Sequence, residues 1–268
     1  MAEITAYAPG RFCWADLGTT DMSQAKKLYT ELFQWEFRDI PLEEGMVYTM
    51  ALVGGREVAG LYQMDEKERG KGWLPRWQAY VSVADAEAAA GKARELGARI
   101  IAAPFDVHEA GRMAVIQDPG GALLSLWESR QHMGARLVGE PGSICWNELL
   151  TRDIDQAANF YTRLFGWKAE VMEPAAAGPY TIFKQNNEGQ AGMMTMPPEC
   201  GPEVPSSWMV YFMVADCDAS AAKAENLGAK IMKSAADIPT VGRFAVLQDA
   251  QRAVFSLFTP SQPPEKVA

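Results

Sequence analysis

Two acidic residues are the strongest candidates for chemistry in this sequence. Asp16 and Glu148 lie 132 positions apart, and each follows a tryptophan by two residues, Trp14 in one case and Trp146 in the other. A carboxyl group in partly apolar surroundings has a raised pKa, so either acid could act as a general base. The alternative is a structural carboxylate that accepts hydrogen bonds from backbone groups or holds a neighbouring strand. The sequence leaves both roles open.

Arginine and serine residues recur in the same paired way. Arg112 and Arg243 each follow a glycine at the start of a predicted strand. We expect them either to bind an anionic ligand at a rim or to form a salt bridge with one of the two acids. Ser125 and Ser256 fall in predicted closing strands and have no accompanying histidine and acid, so nucleophilic catalysis is not expected.

These pairs recur because the chain contains one domain twice. Residues 9–35, PGRFCWADLGTTDMSQAKKLYTELFQW, align without a gap with residues 141–167, PGSICWNELLTRDIDQAANFYTRLFGW. A second match aligns GRMAVIQDPGGALLSLW, from Gly111, with GRFAVLQDAQRAVFSLF, from Gly242. We therefore predict two domains, at residues 9–130 and 141–260.

The hydrophobic pattern predicts the elements that position the acids. Residues 12–18 alternate as a strand does, Asp21 occupies an N-cap position, and apolar residues from Ala25 to Phe33 recur at helical spacing. Three short strands follow, with a hairpin at residues 54–55. This β-α-β-β-β order occurs four times, twice in each copy. The predicted fold class is α+β.

Composition restricts the partners and the compartment. The chain has 268 residues, a 48% hydrophobic fraction, a formal charge of −9 and a sequence pI near 4.9. The hydrophobic fraction is enough to fill the cores of two domains of ordinary size. The negative charge would repel nucleic acid and anionic membranes. We expect a small-molecule ligand, no nucleic-acid or membrane partner, and either a monomer that acts as a pseudo-dimer or a homodimer. The N-terminal residues have no signal-peptide pattern, which favours a cytoplasmic protein.

Three motifs resemble a known superfamily. They are FYTRLFGW, the pair LGARI and LGAKI, and the ending GR.AV.QD followed by A..SL. Together with four β-α-β-β-β units, they resemble the vicinal oxygen chelate superfamily of glyoxalases, bleomycin-resistance proteins and extradiol dioxygenases, and most of all its tandem bacterial proteins related to lactoylglutathione lyase. The resemblance implies two tandem glyoxalase-like domains in which paired units curve their sheets into a ligand-enclosing cup.

The resemblance also implies where a metal would bind. Metal-dependent members carry His, Gln or Glu on the first and last strands of each unit, facing into the cup. The matching positions here are Trp14, Gln78, Trp146, Met209, Ser125 and Ser256, and an inner strand adds Gln190. Gln78 is the one of the six that matches a ligand type. A single donor does not hold an ion, so we expect no metal and no cofactor.

Strand alternation predicts what lines the cups instead. The predicted inward residues are Phe12, Trp14, Asp16, Gln78, Tyr80, Ser125 and Trp127 in the first copy, and Ile144, Trp146, Glu148, Met209, Tyr211, Ser256 and Phe258 in the second. Cys13, Ala15 and Leu17 should pack against the helix. Such aromatic walls with a few polar groups are typical of an organic-ligand pocket, although the same residues could also form a plain core.

Two functions follow from this pattern. The first is a metal-free binding protein that holds an aromatic or apolar small molecule in its cups. The second is an enzyme of the same fold, a lyase, an isomerase or a dioxygenase-like protein, which uses Glu148 or Asp16 as general base or a non-standard metal site. Whether the protein is an enzyme is left open by the sequence.

Overall fold

The computed structural model describes residues 4–42, 45–172 and 179–262. The first copy consists of β1 (Phe12–Thr19), α1 (Met22–Phe33), β2 (Glu36–Pro41), β3 (Val47–Val53), β4 (Arg56–Gln63), α2 (Glu66–Gly70), β5 (Arg76–Ser82), α3 (Ala86–Glu95), β6 (Arg99–Val107), β7 (Gly111–Gln117) and β8 (Leu123–Ser129). The second consists of β9 (Ile144–Thr151), α4 (Ile154–Phe165), β10 (Lys168–Met172), β11 (Tyr180–Gln185), β12 (Glu188–Thr195), β13 (Ser207–Met213), α5 (Cys217–Asn226), β14 (Lys230–Ile238), β15 (Gly242–Gln248) and β16 (Val254–Pro260).

Each copy forms its own curved eight-stranded sheet. The strand order is β2-β3-β4-β1-β5-β8-β7-β6 in the first sheet and β10-β11-β12-β9-β13-β16-β15-β14 in the second. The first strands of the two units, β1 and β5, pair antiparallel at the centre, and each pairs in parallel with the last strand of its own unit. The second sheet repeats this arrangement. The predicted α+β class, with two tandem cup-forming domains, is confirmed.

The helices begin where the sequence indicates. Asp21 adopts an extended conformation, and its side chain accepts a hydrogen bond from the Gln24 amide at 3.0 Å. Asp153 caps α4 in the same way. The structure adds one short helix that the pattern did not predict, α2, in the charged segment between β4 and β5. No helix in the described ranges is long and apolar enough to span a membrane.

One hydrophobic core is shared by the two copies. The sheet faces that carry Leu17 and Ala79, and their counterparts in the second copy, pack against the helices in a single buried cluster. Helix α1 contacts α5, α3 contacts α4, and β5 contacts β13. The rings of Trp77 and Phe212 meet across this junction at 4.8 Å. The opposite sheet faces are left to form the cups.

Reciprocal hydrogen bonds join the copies inside this core. Tyr29 donates to Asp249 at 3.1 Å, and Tyr161 donates to Asp118 at 2.8 Å. Asp118 also accepts the Ala122 amide at 2.8 Å, so it caps its own turn. The second role, holding the other copy, was not predicted. Burial raises the pKa of both aspartates, and the hydrogen bonds they accept oppose that rise.

The repeated Pro-Gly pair has a structural reason. Trp167 donates its indole N–H to the Gly10 carbonyl at 2.9 Å, and Trp35 donates to the Gly142 carbonyl at 2.6 Å. Both glycines have positive φ, +89° and +83°, which side-chain-bearing residues rarely adopt. A Cβ at Gly142 would also lie 2.9 Å from the Phe33 carbonyl oxygen. These turns therefore require glycine at the contact between the copies.

Candidate functional site

The first cup, the face of the first sheet that carries Trp14, Asp16 and Tyr80, is centred on a buried acid. Asp16 is 4% exposed in the middle of β1. Its Oδ2 accepts hydrogen bonds from the hydroxyl groups of Tyr80, at 2.6 Å, and Tyr48, at 3.2 Å. Trp14 donates its indole N–H to the Tyr48 hydroxyl at 2.9 Å. Asp16 is therefore hydrogen-bonded to two tyrosines directly and is linked to Trp14 through Tyr48.

The second cup, the face that carries Trp146, Glu148 and Tyr211, repeats this network. Tyr211 donates to Glu148 Oε1 and Tyr180 donates to Oε2, each at 2.8 Å. Trp146 donates its indole N–H to the Tyr180 hydroxyl at 2.9 Å. Here the two tyrosines use different carboxylate oxygens. Each oxygen thus keeps a lone pair that can accept a further hydrogen bond.

Burial controls the ionisation of these groups. Desolvation raises the pKa of Asp16 to about 6, against the opposing hydrogen bonds from Tyr80 and Tyr48. Desolvation also raises the pKa of Glu148, and the tyrosine hydrogen bonds oppose it again. The tyrosine pKa values rise through burial and the neighbouring carboxylate, so these hydroxyls stay protonated donors. The arrangement suits a buried hydrogen-bond acceptor, and a raised carboxyl pKa is also what a general base requires.

Sequence reasoning missed Tyr48 and Tyr180. They come from β3 and β11, outside the strands on which the prediction concentrated. A signal was present, because the two tyrosines are separated by the same 132 positions as the acids. Gly60 and Gly192 have that spacing too, and a Cβ at either glycine would overlap the tyrosine hydroxyl of its own cup. The glycines make the room in which each tyrosine reaches its acid.

The other predicted cup residues are buried beside these networks. Gln78 is 7% exposed and accepts a hydrogen bond from Arg76 Nε at 3.3 Å. Ser125 is fully buried, and within the described part of the chain its hydroxyl has no hydrogen-bond partner. Ser256 lies beside Tyr211 in the paired strands, and Met209 is 9% exposed. A ligand-binding role for these four residues stays a prediction.

The inward assignment of Phe12 and Ile144 is wrong. A β-bulge interrupts the pairing between Phe12 and Trp14, and a second one interrupts the equivalent pairing in β9. An extra residue reverses the side on which the preceding side chains lie. Phe12 consequently packs on Trp208, with ring centroids 5.0 Å apart, and Ile144 joins the shared core. Cys13, expected against the helix, lies in the first cup instead.

The two arginines are held away from the acids. Arg112 pairs with Asp106 at 3.1 Å and with Glu87 at 3.2 Å. Arg243 pairs with Asp237 at 2.8 Å and with Asp218 at 2.5 Å. The expected salt bridge to Asp16 or Glu148 is therefore wrong, because each guanidinium joins a strand hairpin to the start of the neighbouring helix. Binding of an anionic ligand by these arginines stays a prediction.

The residues at the superfamily's metal positions do not fit a metal ion. Trp14 and Trp146 offer no lone pair to an ion, and their N–H groups donate to tyrosines. Gln78 is the single residue at those positions in the first cup that carries an amide oxygen able to coordinate an ion. Met209 stands at the equivalent position in the second cup. Across residues 4–42, 45–172 and 179–262, no group of three or more His, Cys, Asp or Glu side chains is arranged to hold a metal.

The cups differ in how they are closed. The linker after β8 lies over the first cup: Trp127 donates to the His132 carbonyl at 2.9 Å, and the His132 ring meets Trp14 edge-on at 4.7 Å. Trp14, Tyr80 and Trp127 form a buried cluster there, each no more than 7% exposed. In the second cup, Trp146 and Phe258 are only half-buried. Its aromatic wall is therefore more accessible.

The chain belongs to the Glyoxalase/Bleomycin resistance protein/Dioxygenase superfamily, whose family description matches residues 11–126 and 131–257. The predicted resemblance is thus confirmed. Among curated relatives, "Putative glyoxylase CFP32" of Mycobacterium tuberculosis (strain CDC 1551 / Oshkosh) is 42% identical over 262 residues, covering 97% of this chain and 99% of the relative. "Anthracycline biosynthesis protein DnrV" of Streptomyces peucetius is 33% identical over 268 residues, covering 95% and 94%.

Solved structures agree with the fold. The Mn(II)-bound glyoxalase from Novosphingobium aromaticivorans superposes with a TM-score of 0.64 at 15% identity, covering 94% of this chain and 82% of that one. The 2,3-dioxygenase LapB from Pseudomonas sp. KL28 superposes with a TM-score of 0.62 at 11% identity, covering 98% and 96%. At such identities, the likeness establishes the architecture alone.

Proposed function

We propose that this protein binds a hydroxylated aromatic small molecule in its second cup, without a resident metal ion. One observation carries the proposal: half-buried aromatic side chains surround a buried acid whose two oxygens already have ordered donors. Phe244 and Phe258 are cross-strand partners on this wall, and the Tyr211 ring lies 6.4 Å from that of Phe244. An aromatic ligand gains dispersion and quadrupole contacts on such a wall.

The acid selects the polar group of the ligand. Glu148 accepts two tyrosine hydrogen bonds and retains acceptor capacity on both oxygens. A phenolic O–H or an N–H can therefore donate to it, whereas an anionic group would be repelled by the ionised carboxylate. Lys233, above the Phe244 ring at 5.0 Å, contributes a positive charge that favours the ionised form. The preferred ligand is neutral, aromatic and a hydrogen-bond donor.

The relatives add modest support for this chemical class. One of them carries the name of an anthracycline biosynthesis protein. Anthracyclines contain fused aromatic rings with hydroxyl groups, which is the class that the cup wall favours. The residues at the superfamily's metal positions do not fit a metal ion, and this supports the metal-free part of the proposal.

A calorimetric titration tests the binding site. We expect the fused-ring phenol 2-naphthol to bind, and Phe244→Ala to weaken that binding about fivefold, since aromatic pairs contribute about 1 kcal/mol beyond area burial. Met113→Ala is the matched control, because Met113 occupies the equivalent position in the first cup. If both variants lose affinity equally, the second cup is not the preferred site.

A pair of probes tests the acceptor. The methyl ether of 2-naphthol keeps the rings and removes the O–H, so it should bind more weakly to the wild type. Glu148→Gln should reduce this difference. Equal affinity of phenol and ether for the wild type contradicts a role for Glu148 as acceptor. Metal analysis of protein purified without chelator completes the test, because a stoichiometric divalent ion would refute the metal-free proposal.

A second function has one observation in its favour, the raised pKa of Glu148 and of Asp16. A lyase or isomerase of this superfamily could use either carboxylate as general base. If a turnover is found, Glu148→Gln should abolish it and Asp16→Asn should leave it largely intact, since the first cup is closed. Turnover that survives both substitutions would exclude this function.

A further inference from the structure

A cavity lies between the two copies. It has a volume of about 660 Å³, and the N-terminal segment, the linker, β1, β9 and β12 form its walls. Repeat-equivalent residues of both copies line it, among them Trp14 and Trp146, and Cys13 and Cys145. The cavity is thus lined by equivalent parts of both copies. Its volume is within the range of small-molecule sites.

Two polar residues break the symmetry of this cavity. Asn147 and Gln190 line it from the second copy, where the first copy has Ala15 and Val58 at the equivalent positions. Both first-copy residues are fully buried in the shared core. The second copy therefore places two amides where the repeat would place apolar side chains.

Asn147 is an unsatisfied acceptor at this wall. Its side chain is 4% exposed, and its Oδ1 has no hydrogen-bond partner among the residues that the structure describes. A buried polar atom without a partner is costly, and such atoms in native proteins call for an explanation such as a bound ligand. A group that donates a hydrogen bond would satisfy Asn147.

The neighbouring polar groups are already engaged. Tyr7 donates to the Ala135 carbonyl at 2.7 Å, and Gln190 Nε2 donates to the Glu188 carbonyl at 3.1 Å. Arg11 forms a salt bridge with Glu188, so its charge is balanced. Burial raises the pKa of the Cys145 thiol to about 12, which keeps it protonated. Among the residues that the structure describes, the cavity consequently presents apolar walls, acceptors and no free charge.

From this geometry we infer a second ligand site, between the copies, for a neutral aromatic molecule that donates a hydrogen bond to Asn147. The site goes beyond the proposed function, because Phe244 and Glu148 take no part in it. Trp146 is common to both sites, as its indole N–H serves the second cup while its ring also lines the cavity.

Indole and 1-methylindole are suitable probes, since they share one ring system and only indole carries an N–H donor. We expect indole to bind more tightly than 1-methylindole in calorimetric titrations of the full chain. Asn147→Ala and Gln190→Val give the second copy the residues of the first. Asn147→Ala should weaken indole binding at least about fivefold, Gln190→Val should weaken it less, and neither should affect 1-methylindole.

Two further measurements locate the probe. Phe244→Ala damages the second cup, which also accepts N–H donors, so the indole binding that remains in this variant should still depend on Asn147. Failure of the cup proposal and failure of this one are therefore distinguishable. In the ¹⁵N-labelled wild type, indole should shift the side-chain amide signals of Asn147, and 1-methylindole should shift them less. This measurement does not depend on the stability of a variant.

Three results would overturn the inference. They are the absence of indole binding at millimolar concentration, equal indole affinity in the wild type and Asn147→Ala, and loss of indole binding in Phe244→Ala with unmoved Asn147 signals.

Discussion

The first and second cups contain the same chain of hydrogen bonds and differ in what covers it. In both, a tryptophan donates to a tyrosine, and that tyrosine and a second one donate to a buried acid. In the first cup the linker adds His132 and buries Trp14 and Trp127. The network is therefore common to both copies, and the covering segment determines whether its aromatic wall is accessible.

The difference has a local origin. The linker follows β8 and lies against the copy it has just left, where Ala135 donates its amide to the Cys13 carbonyl at 2.8 Å. Glu57 holds His132 at 3.5 Å, and this interaction lowers the pKa of Glu57. Position 127 carries tryptophan in the first cup, where the equivalent residue of the second is Phe258. Trp127 is 5% exposed, whereas Phe258 is half-buried.

The largest expected effect on the free energy of unfolding comes from Trp127 and its equivalent, Phe258. Trp127→Ala should reduce the free energy of unfolding by about 3–5 kcal/mol, since a buried aromatic side chain is removed from a closed cluster. Phe258→Ala should cost only about 1–2 kcal/mol, because its ring is half-buried. Urea denaturation followed by circular dichroism measures both. The affinity for 2-naphthol should instead fall more in Phe258→Ala than in Trp127→Ala. Equal stability losses in the two variants would show that the cups are equally closed.

A smaller effect is expected from the pH dependence of stability. The pKa of Asp16 is raised from 3.8 to about 6 in the folded protein, so the folded state binds the proton more tightly than the unfolded state. The resulting stabilisation is fully present below pH 3.8 and is lost as the pH rises through about 6. The loss amounts to at most about 3 kcal/mol.

Asp16→Asn should therefore flatten the decrease in unfolding free energy between pH 4.5 and pH 8. Glu148→Gln should change the profile in the same direction, and by less, because the second cup is more open. Urea unfolding at a series of pH values gives these profiles. A wild-type profile that is unchanged in Asp16→Asn would contradict the buried, desolvated state assigned to this acid.

The smallest effect should come from the covering residue. His132→Ala removes the ring that contacts Trp14, and we expect a loss of about 1 kcal/mol, typical of one aromatic contact. Acrylamide should then quench tryptophan emission more strongly, since Trp14 and Trp127 become accessible. His108→Asn is the control, because His108 is exposed in a turn with φ of 46°, which asparagine tolerates. Unchanged quenching in His132→Ala would mean that the linker does not close the first cup.

The predictable part of the site was its centre. The acids, Tyr80 and Tyr211 were predicted because they lie on regular strands, where side-chain direction alternates with every residue. Phe12 and Ile144 were assigned wrongly because a bulge inserts one residue and reverses that alternation, and the bulge has no marker in residue type here. Tyr48 lies on another strand, and its contact with Asp16 depends on the curvature of the sheet.

The sequence by itself determined the duplication, the α+β units, the helix caps and the recurrence of an acid two residues after a tryptophan. These features are local or periodic, so residue types and spacing suffice to predict them. Tertiary structure alone decided that Tyr29 and Tyr161 join the copies, that the linker covers only the first cup, and that Asn147 faces a cavity between the copies. Each of these depends on contacts between residues far apart in the chain, and the shared core that creates them forms only when both copies fold together.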